Sequence, residues 1–159
     1  MDAKERERLI ALYRDGYRAI VDALHGADDE ELARRPAPGK WSAREIVHHL
    51  ADSEMTAAVR LRLLVATDRP TIQGYDQDVF SERLHYDRPH EVSLEAFRYA
   101  RESTAQMLER LTEEDWLREG THTEVGPFGV TRWLQTYATH AHSHARQIVE
   151  AIGAAKASQ

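Results

Sequence analysis

The 159-residue sequence contains no cysteine, which excludes disulfide bonds, thiolate metal ligands and a cysteine nucleophile. Any metal ion must therefore be bound by imidazole nitrogens or carboxylate oxygens. The sequence also lacks an apolar run near the roughly 18 residues that a membrane-spanning helix needs. Its N-terminus mixes charged and apolar residues from the first turn, unlike a signal peptide. We therefore expect a cytoplasmic protein that does not interact with membranes.

Basic residues are also fewer than acidic ones, since the sequence has 21 Lys and Arg residues and 27 Asp and Glu residues and its net charge is -6. This balance argues against a nucleic-acid partner and against an anionic membrane surface. The length fits one domain covering residues 1–159. A domain of this size buries roughly 70% of the surface that its unfolded chain exposes, so its core can support folding without covalent cross-links.

Apolar residues recur at helical spacing in four long segments of the sequence. The predicted helices cover about residues 4–25, 43–66, 94–110 and 131–152. Ser42 and Glu45 form a capping box before the second of these helices. Ser93 is the predicted cap of the third helix, and Gly153 is the predicted stop of the fourth.

The connections between these helices are expected to carry little regular structure. The longest, residues 68–92, contains a predicted short helical turn over about 78–84, and Thr112 with Asp115 predicts another short turn. Residues 119–130 are glycine-rich and extended, which is typical of a small hairpin or a loop. Four long amphipathic helices without a convincing central strand predict an all-α fold, a four-helix bundle with a long crossover connection.

Two histidines on the fourth predicted helix are placed to share a ligand. His140 and His144 are four residues apart, so they lie about 40° apart around the helix and one turn apart along it. That spacing allows both imidazoles to reach one ion at about 2.0–2.1 Å. Both flank the apolar stripe and are expected to face inward at least in part. His142 lies about 160–200° from both and cannot share their ion.

The second predicted helix supplies the third candidate ligand. His48 and His49 are adjacent and lie about 100° apart, so at most one of them faces the core well. His49 borders the apolar stripe that contains Ile46 and Leu50, whereas His48 is expected to project away from it. This arrangement favours His49. The alternative is that the inward histidines are neutral core residues with backbone or tyrosine partners, although burying three unpaired imidazoles together is costly.

Three acidic residues on the same helix have two interpretations each. Glu45 can accept a hydrogen bond from a ligating imidazole or simply complete the capping box, which we favour. Asp52 lies within a turn of His48 and His49 and can orient an imidazole or remain solvated. Glu54 falls inside the apolar stripe, where an unpaired carboxylate is rare, so we expect it to meet an Arg or Tyr or to face a pocket.

Aromatic residues and the other histidines complete the list of candidates. Trp133 and Tyr137 flank the ligand pair on the fourth helix and can pack in the core or form a pocket wall. The sequence alone does not separate these two roles. The remaining histidines fall at helix ends or in loops and are predicted to be surface residues: His25, His85, His90 and His122.

Three segments of the sequence resemble, in order, the three signatures of the DinB-like (YfiT-type) metalloprotein family. They are residues 39–55 (GKWSAREIVHHLADSEM), 70–76 (PTIQGYD) and 137–148 (YATHAHSHARQI). The resemblance covers roughly residues 30–153 and implies a four-helix bundle with a three-histidine metal site. It implies as ligands His49, which directly precedes Leu50, together with His140 and His144. The helix positions favour the same three residues.

The resemblance also implies features beyond the ligands. Tyr75 and Asp76 belong to the second signature and are expected to line the substrate opening. The branch of the family that the sequence resembles includes the bacillithiol transferases, formerly regarded as metal-dependent hydrolases. Members of the family often pair bundle to bundle, so a homodimer is expected.

Three neutral imidazoles leave a divalent ion with open coordination positions, which is typical of a catalytic site. Zinc is the first expectation for the ion and nickel the second, since imidazole suits both. We expect a thiol S-transferase that joins a low-molecular-weight thiol to an electrophilic substrate, because a coordinating thiol is held as thiolate. The alternatives are a hydrolase that uses metal-bound water and a metal-binding bundle without catalysis. No protein nucleophile is needed, and Glu45, Asp52 and Tyr75 are candidates for a supporting role.

Overall fold

Four long helices within residues 1–157, the part of the chain that the computed structural model describes, form the bundle that the sequence predicts. In chain order the elements are α1 (Ala3–Leu24), α2 (Asp29–Ala33), α3 (Ala43–Ala66), β1 (Thr71–Ile72), α4 (Gln77–Arg83), α5 (Glu91–Leu108), α6 (Glu113–Trp116), β2 (Glu119–His122), β3 (Gly126–Gly129) and α7 (Val130–Ala157). Each of the long helices α1 and α3 packs against both α5 and α7. Within these residues, no helix combines the length and hydrophobicity that a bilayer crossing requires.

The start of α3, the helix that carries His49, is set by the predicted capping box. Ser42 Oγ accepts the backbone N–H of Glu45 at 3.2 Å, and Glu45 Oε2 accepts the backbone N–H of Ser42 at 2.8 Å. These bonds satisfy two backbone donors that the first turn would otherwise leave without partners. The helix then continues to Ala66, as predicted.

The start of α5 differs from the prediction, because Ser93 lies inside the helix and does not cap it. The helix begins at Glu91, and His90 is its N-terminal cap residue. The Ser93 hydroxyl is buried and lies 2.8 Å from Nδ1 of His48. A buried hydroxyl needs a hydrogen-bond partner, and here an imidazole of α3 supplies it.

The end of α7 also differs, because Gly153 lies inside the helix, which continues to Ala157. A glycine in a helix interior costs only about 1 kcal/mol relative to alanine, so other contacts can outweigh it. The last turn buries Ala155, whose carbonyl accepts a hydrogen bond from Arg34 at 3.3 Å. Tertiary packing therefore extends the helix past the predicted stop.

A small three-stranded sheet links the connection between α3 and α4 with the connection between α6 and α7. β2 and β3 form an antiparallel hairpin in which Glu119 lies opposite Gly129, so the hairpin interpretation of residues 119–130 is confirmed. β1 pairs in parallel with β2, and its Ile72 is fully buried. β1 and α2 are too short to leave a periodic signal in the sequence, and the prediction lacks both.

In the described part of the chain, residues 1–157, the apolar core consists of two clusters of buried side chains. One cluster includes Ile46 and Leu50 of α3 together with Ile148 of α7. The other includes Leu61 of α3 and Trp133 of α7. His49 lies in α3 between Ile46 and Leu50, so the first cluster supports the candidate site.

A buried ion pair connects all four long helices. Arg101 of α5 pairs with Glu54 of α3, and their side chains are 2% and 1% exposed. Arg101 also donates hydrogen bonds to the backbone carbonyls of Tyr13 in α1 and Tyr137 in α7, while the Tyr13 hydroxyl donates to Glu54. The prediction that Glu54 meets an Arg or a Tyr is confirmed. The network also ties together α3 and α7, the two helices that carry the candidate ligands.

Candidate metal centre

The three predicted ligands converge between α3 and α7. One nitrogen from each of His49, His140 and His144 lies within 4.8 Å of the corresponding nitrogens of the other two. The Nε2 atoms of His140 and His144 are 3.1 Å apart. The ring centre of His49 is 5.5 Å from that of His140 and 4.8 Å from that of His144. The structure therefore brings together the three imidazoles that the sequence analysis selected.

These imidazoles are held in their uncharged form by their surroundings. Burial, and secondarily the charge of neighbouring imidazoles, lowers the pKa of His49 to about 3 and the pKa of His140 to about 2. Burial also lowers the pKa of His144, against a hydrogen bond to Gln147 that favours the charged form. At neutral pH all three rings can therefore offer the lone pair that metal binding requires.

The nitrogen atoms of the site fit a divalent metal ion. His49 Nδ1 is buried and has no hydrogen-bond partner within the described residues, which costs free energy unless a further partner is bound. His144 Nδ1 lies 2.7 Å from Oε1 of Gln147. Because that oxygen can only accept, Nδ1 carries the proton and Nε2 is left with its lone pair. Imidazole donors suit zinc, nickel, iron and copper, so the donor set fits metal binding without selecting one ion.

A cleft of about 480 Å³ opens beside His144. Trp41 lines it, and the ring centre of Trp41 lies 4.8 Å from that of His49. The other residues on its walls come from the loop before α3, the start of α4 and the outer face of α7, and include Lys40, Gln77, Asp78, Gln147 and Glu150. The candidate metal centre is therefore next to a space that a small molecule can enter.

His48 does not project away from the core, so that part of the sequence analysis is wrong. It is fully buried, because α5 covers this face of α3. Its Nε2 donates to the backbone carbonyl of Arg88 at 2.9 Å, and its Nδ1 accepts from the Ser93 hydroxyl at 2.8 Å. Both ring nitrogens of His48 are thus used within the fold, which agrees with the choice of His49 over His48.

Two more buried or half-buried histidines, His142 and His122, lie outside the cluster. His142 donates from Nε2 to the backbone carbonyl of Leu12 at 3.0 Å, so it faces α1 and lies outside the cluster, as predicted. His122 was expected at the surface but is only 6% exposed. It lies in β2, where alternate residues are buried, and its ring centre is 5.6 Å from that of Phe128. His122 is buried because it occupies an inward-facing position of a strand and does not lie in a loop.

The two acidic candidates for a supporting role, Glu45 and Asp52, have partners outside the three-histidine cluster. Glu45 completes the capping box and forms an ion pair with Arg35, so the capping interpretation is confirmed. Asp52 accepts the hydroxyl of Tyr86 at 2.6 Å. Within residues 1–157, neither carboxylate is hydrogen-bonded to an imidazole of the cluster. Whether either one supports catalysis stays a prediction.

The residues of the crossover connection lie against the bundle. The ring of Tyr75 is half-buried, 4.4 Å from that of Phe80. Asp76 caps α4 by accepting the backbone N–H groups of Asp78 at 2.9 Å and Val79 at 3.1 Å. Gln77 and Asp78 line the cleft beside His144, whereas Tyr75 and Asp76, the residues expected at the substrate opening, do not line it.

The aromatic residues of α7 pack in the core. Trp133 is fully buried and donates from Nε1 to the carbonyl of Ala57 at 2.8 Å. Tyr137 is buried as well, and its ring centre lies 5.9 Å from that of His140. Sequence reasoning missed Trp41 and Gln147 as neighbours of the site. Gln147 follows His144 by three residues, a spacing that places both on one face and could have indicated the contact.

Comparison with known proteins places this geometry in context. The sequence profile of the DinB superfamily matches residues 12–148. A protein of Oceanobacillus iheyensis, named as a candidate metal-dependent hydrolase, is 30% identical over 131 residues, which cover 82% of this chain and 76% of that protein. A protein of Halalkalibacterium halodurans with the same kind of name is 24% identical over 125 residues, covering 79% and 73% of the two chains.

The fold has a close structural counterpart. YfiT from Bacillus subtilis, described as a candidate metal-dependent hydrolase with an unusual four-helix bundle topology, matches with a TM-score of 0.89 at 24% sequence identity. The match covers 95% of this chain and 87% of YfiT, which confirms the predicted fold. The narrower resemblance to bacillithiol transferases stays a prediction. Because the family profile matches most of its length, the chain belongs to the DinB superfamily.

Proposed function

We propose that this protein is a metal-dependent hydrolase in which His49, His140 and His144 bind one divalent ion. The observation that supports the proposal most directly is the convergence of three uncharged imidazoles beside an open cleft. The relatives from Oceanobacillus iheyensis and Halalkalibacterium halodurans carry names that point to the same activity. Zinc is our first choice of ion and nickel our second, since both accept imidazole ligands.

The residues around the three ligands prepare them for this role. His49, His140 and His144 would hold the ion, which would supply the Lewis-acid chemistry that activates water for hydrolysis. Gln147 fixes the ring of His144 so that Nε2 presents its lone pair. Trp41 packs against the ring of His49 and limits its rotation. Burial keeps all three rings unprotonated near neutral pH.

The cleft beside His144 suits a small amide or ester. Its volume of about 480 Å³ is that of a small-molecule pocket. Trp41 and Ile46 supply an apolar wall, while Lys40 and Gln77 supply polar groups that can orient a substrate. Because the site needs no side-chain nucleophile, the absence of cysteine is no obstacle to hydrolysis.

Turnover by metal-loaded protein tests the proposal. Protein purified without a histidine tag is loaded with zinc or nickel and assayed on chromogenic esters and anilides, with and without a low-molecular-weight thiol. We expect hydrolysis that needs no thiol, disappears with a chelator and returns when the metal is restored. His144→Ala is expected to abolish it. His142→Ala is the matched control and is expected to retain it, because His142 faces Leu12 and lies outside the cluster.

The same assay separates the competing functions. Turnover that requires a thiol and consumes it would contradict hydrolysis and favour the thiol S-transferase predicted from the resemblance. Equal loss of activity in the His144→Ala and His142→Ala variants, with both still helical by circular dichroism, would also contradict the proposal. Stoichiometric metal without turnover of any ester or anilide would favour the non-catalytic metal-binding bundle.

A further inference from the structure

Arg60 is a buried cation that has no anionic partner within residues 1–157. Among residues 1–157, three arginines are at most 9% exposed. Arg6 pairs with Glu113 and Arg101 pairs with Glu54. Arg60 forms no ion pair with any carboxylate of the described chain. Burying a guanidinium with neutral partners alone costs free energy. The lack of an ion pair at Arg60, in contrast to Arg6 and Arg101, therefore requires an explanation.

The partners that Arg60 does have are neutral. Nη1 donates to the hydroxyl of Tyr137 at 3.1 Å, and Nη2 donates to the backbone carbonyl of Gln73 at 2.6 Å. The guanidinium carbon lies 5.6 Å from the centre of the Tyr75 ring. Nε is buried and has no hydrogen-bond partner within residues 1–157. Two of the five N–H groups of the guanidinium donate to these partners, and no carboxylate of residues 1–157 pairs with its positive charge.

Arg60 lines an open groove of about 370 Å³ between α3 and β1. The α3 side of this groove is mainly apolar. Met55, Val59 and Leu63, spaced four residues apart, are 43%, 57% and 39% exposed. Ile72 of β1 contributes to the other side. A row of apolar side chains beside a buried cation is complementary to a molecule that has an apolar body and an anionic end.

We propose that this groove binds a small organic acid whose carboxylate pairs with Arg60 and whose apolar body lies against Val59 and Leu63. Arginine suits this role because its guanidinium remains charged and binds carboxylates through parallel N–H donors. The groove volume falls within the range of roughly 300–1,000 Å³ typical of small-molecule sites. The site is separate from the candidate metal centre and does not depend on hydrolysis.

The two sites are nevertheless close neighbours. Tyr137, whose hydroxyl accepts a hydrogen bond from Arg60, packs its ring 5.9 Å from the ring of His140. One side chain thus separates the carboxylate subsite from a candidate ligand. A test must therefore distinguish an acid bound in the groove from an acid bound to the metal ion.

Titration of the zinc-loaded protein with hexanoate, followed by amide NMR, makes this distinction. We expect saturable shift changes at Thr56, Val59 and Gln73. We expect none with hexanol, which has the same apolar chain without the charge. Arg60→Met is expected to weaken hexanoate binding about tenfold or more, since it removes a charge-assisted hydrogen-bond donor. Arg62→Met is the matched control, because Arg62 bonds to Ser103 of α5 and does not line the groove.

A second variant keeps the proposal testable if Arg60→Met fails to fold. Val59→Glu, at an exposed position, places a carboxylate in the groove and is expected to abolish hexanoate binding without loss of helicity. Shift changes confined to the surroundings of His49 and His144 would overturn the proposal, because they place the acid at the metal. Undiminished binding to Arg60→Met would overturn it too, as would a dimer of this chain that buries Val59 and excludes hexanoate.

Discussion

Replacing Arg101 by methionine is expected to destabilise the protein strongly, because it removes the cation that pairs with the buried Glu54. The Glu54 side chain is 1% exposed, so water cannot replace the guanidinium. The backbone carbonyls of Tyr13 and Tyr137 each lose a hydrogen-bond donor in the same variant. Breaking a buried pair in this way costs about 3–5 kcal/mol, a large part of the roughly 5–15 kcal/mol by which a typical domain is stable.

The loss of stability should depend on pH. Burial raises the pKa of Glu54, while Arg101 and Tyr13 oppose this rise. Without Arg101 the pKa rises further, and the folded variant binds a proton at a pH where its unfolded chain does not. Stability of the variant therefore increases relative to wild type as the pH falls towards the ordinary pKa of a glutamic acid.

Urea unfolding followed by circular dichroism at pH 7 and at pH 5 measures both effects. The double variant Glu54→Leu with Arg101→Met removes both charges and is expected to be more stable than Arg101→Met alone. A loss below about 1 kcal/mol for Arg101→Met at pH 7 would refute the reasoning. So would a double variant whose loss equals the sum of the two single losses, because the pair would then not be coupled.

Further variants and conditions probe the ligand helices. Gly16→Ala is expected to cost about 1–3 kcal/mol in thermal unfolding, because its Cβ would lie 2.7 Å from that of Ala141; an unchanged melting temperature would contradict this close contact. The metal-free protein is expected to lose stability as the pH falls from about 6.5 towards 3, since an unfolded imidazole is protonated there while His49, with a pKa of about 3, is not. Urea midpoints that stay constant across this window would contradict the burial of the site. Gln147→Leu is expected to weaken metal binding about 10–100-fold in chelator competition, because His144 loses the acceptor that fixes its ring; wild-type affinity would show that this hydrogen bond is dispensable.

Periodicity and capping explain why most of the fold could be predicted. The apolar stripe predicts α3 and the Ser42–Glu45 box predicts where it begins, because each signal depends on residues close together in the sequence. Ser93 and Gly153 gave wrong helix ends for the opposite reason. The hydroxyl of Ser93 bonds to His48 from another helix, and packing around Ala155 extends α7 past a glycine.

The candidate site divides in the same way between local and tertiary information. His140 and His144 could be found from helical spacing, and His49 from its position beside the apolar stripe. His48 could not be placed, because its burial depends on α5, which covers α3 from outside the local sequence. The contact of Trp41 with His49 likewise arises from the loop before α3, whose path no periodic pattern encodes.

Metal content per chain in the His140→Ala variant tests the central claim most directly. Wild-type protein without a tag, loaded with zinc and desalted, is expected to hold about one ion per chain. His140→Ala is expected to hold none while keeping its helical circular dichroism signal, and His142→Ala is expected to match wild type. Full metal content in His140→Ala, or equal loss in both variants, would contradict the three-imidazole site between α3 and α7.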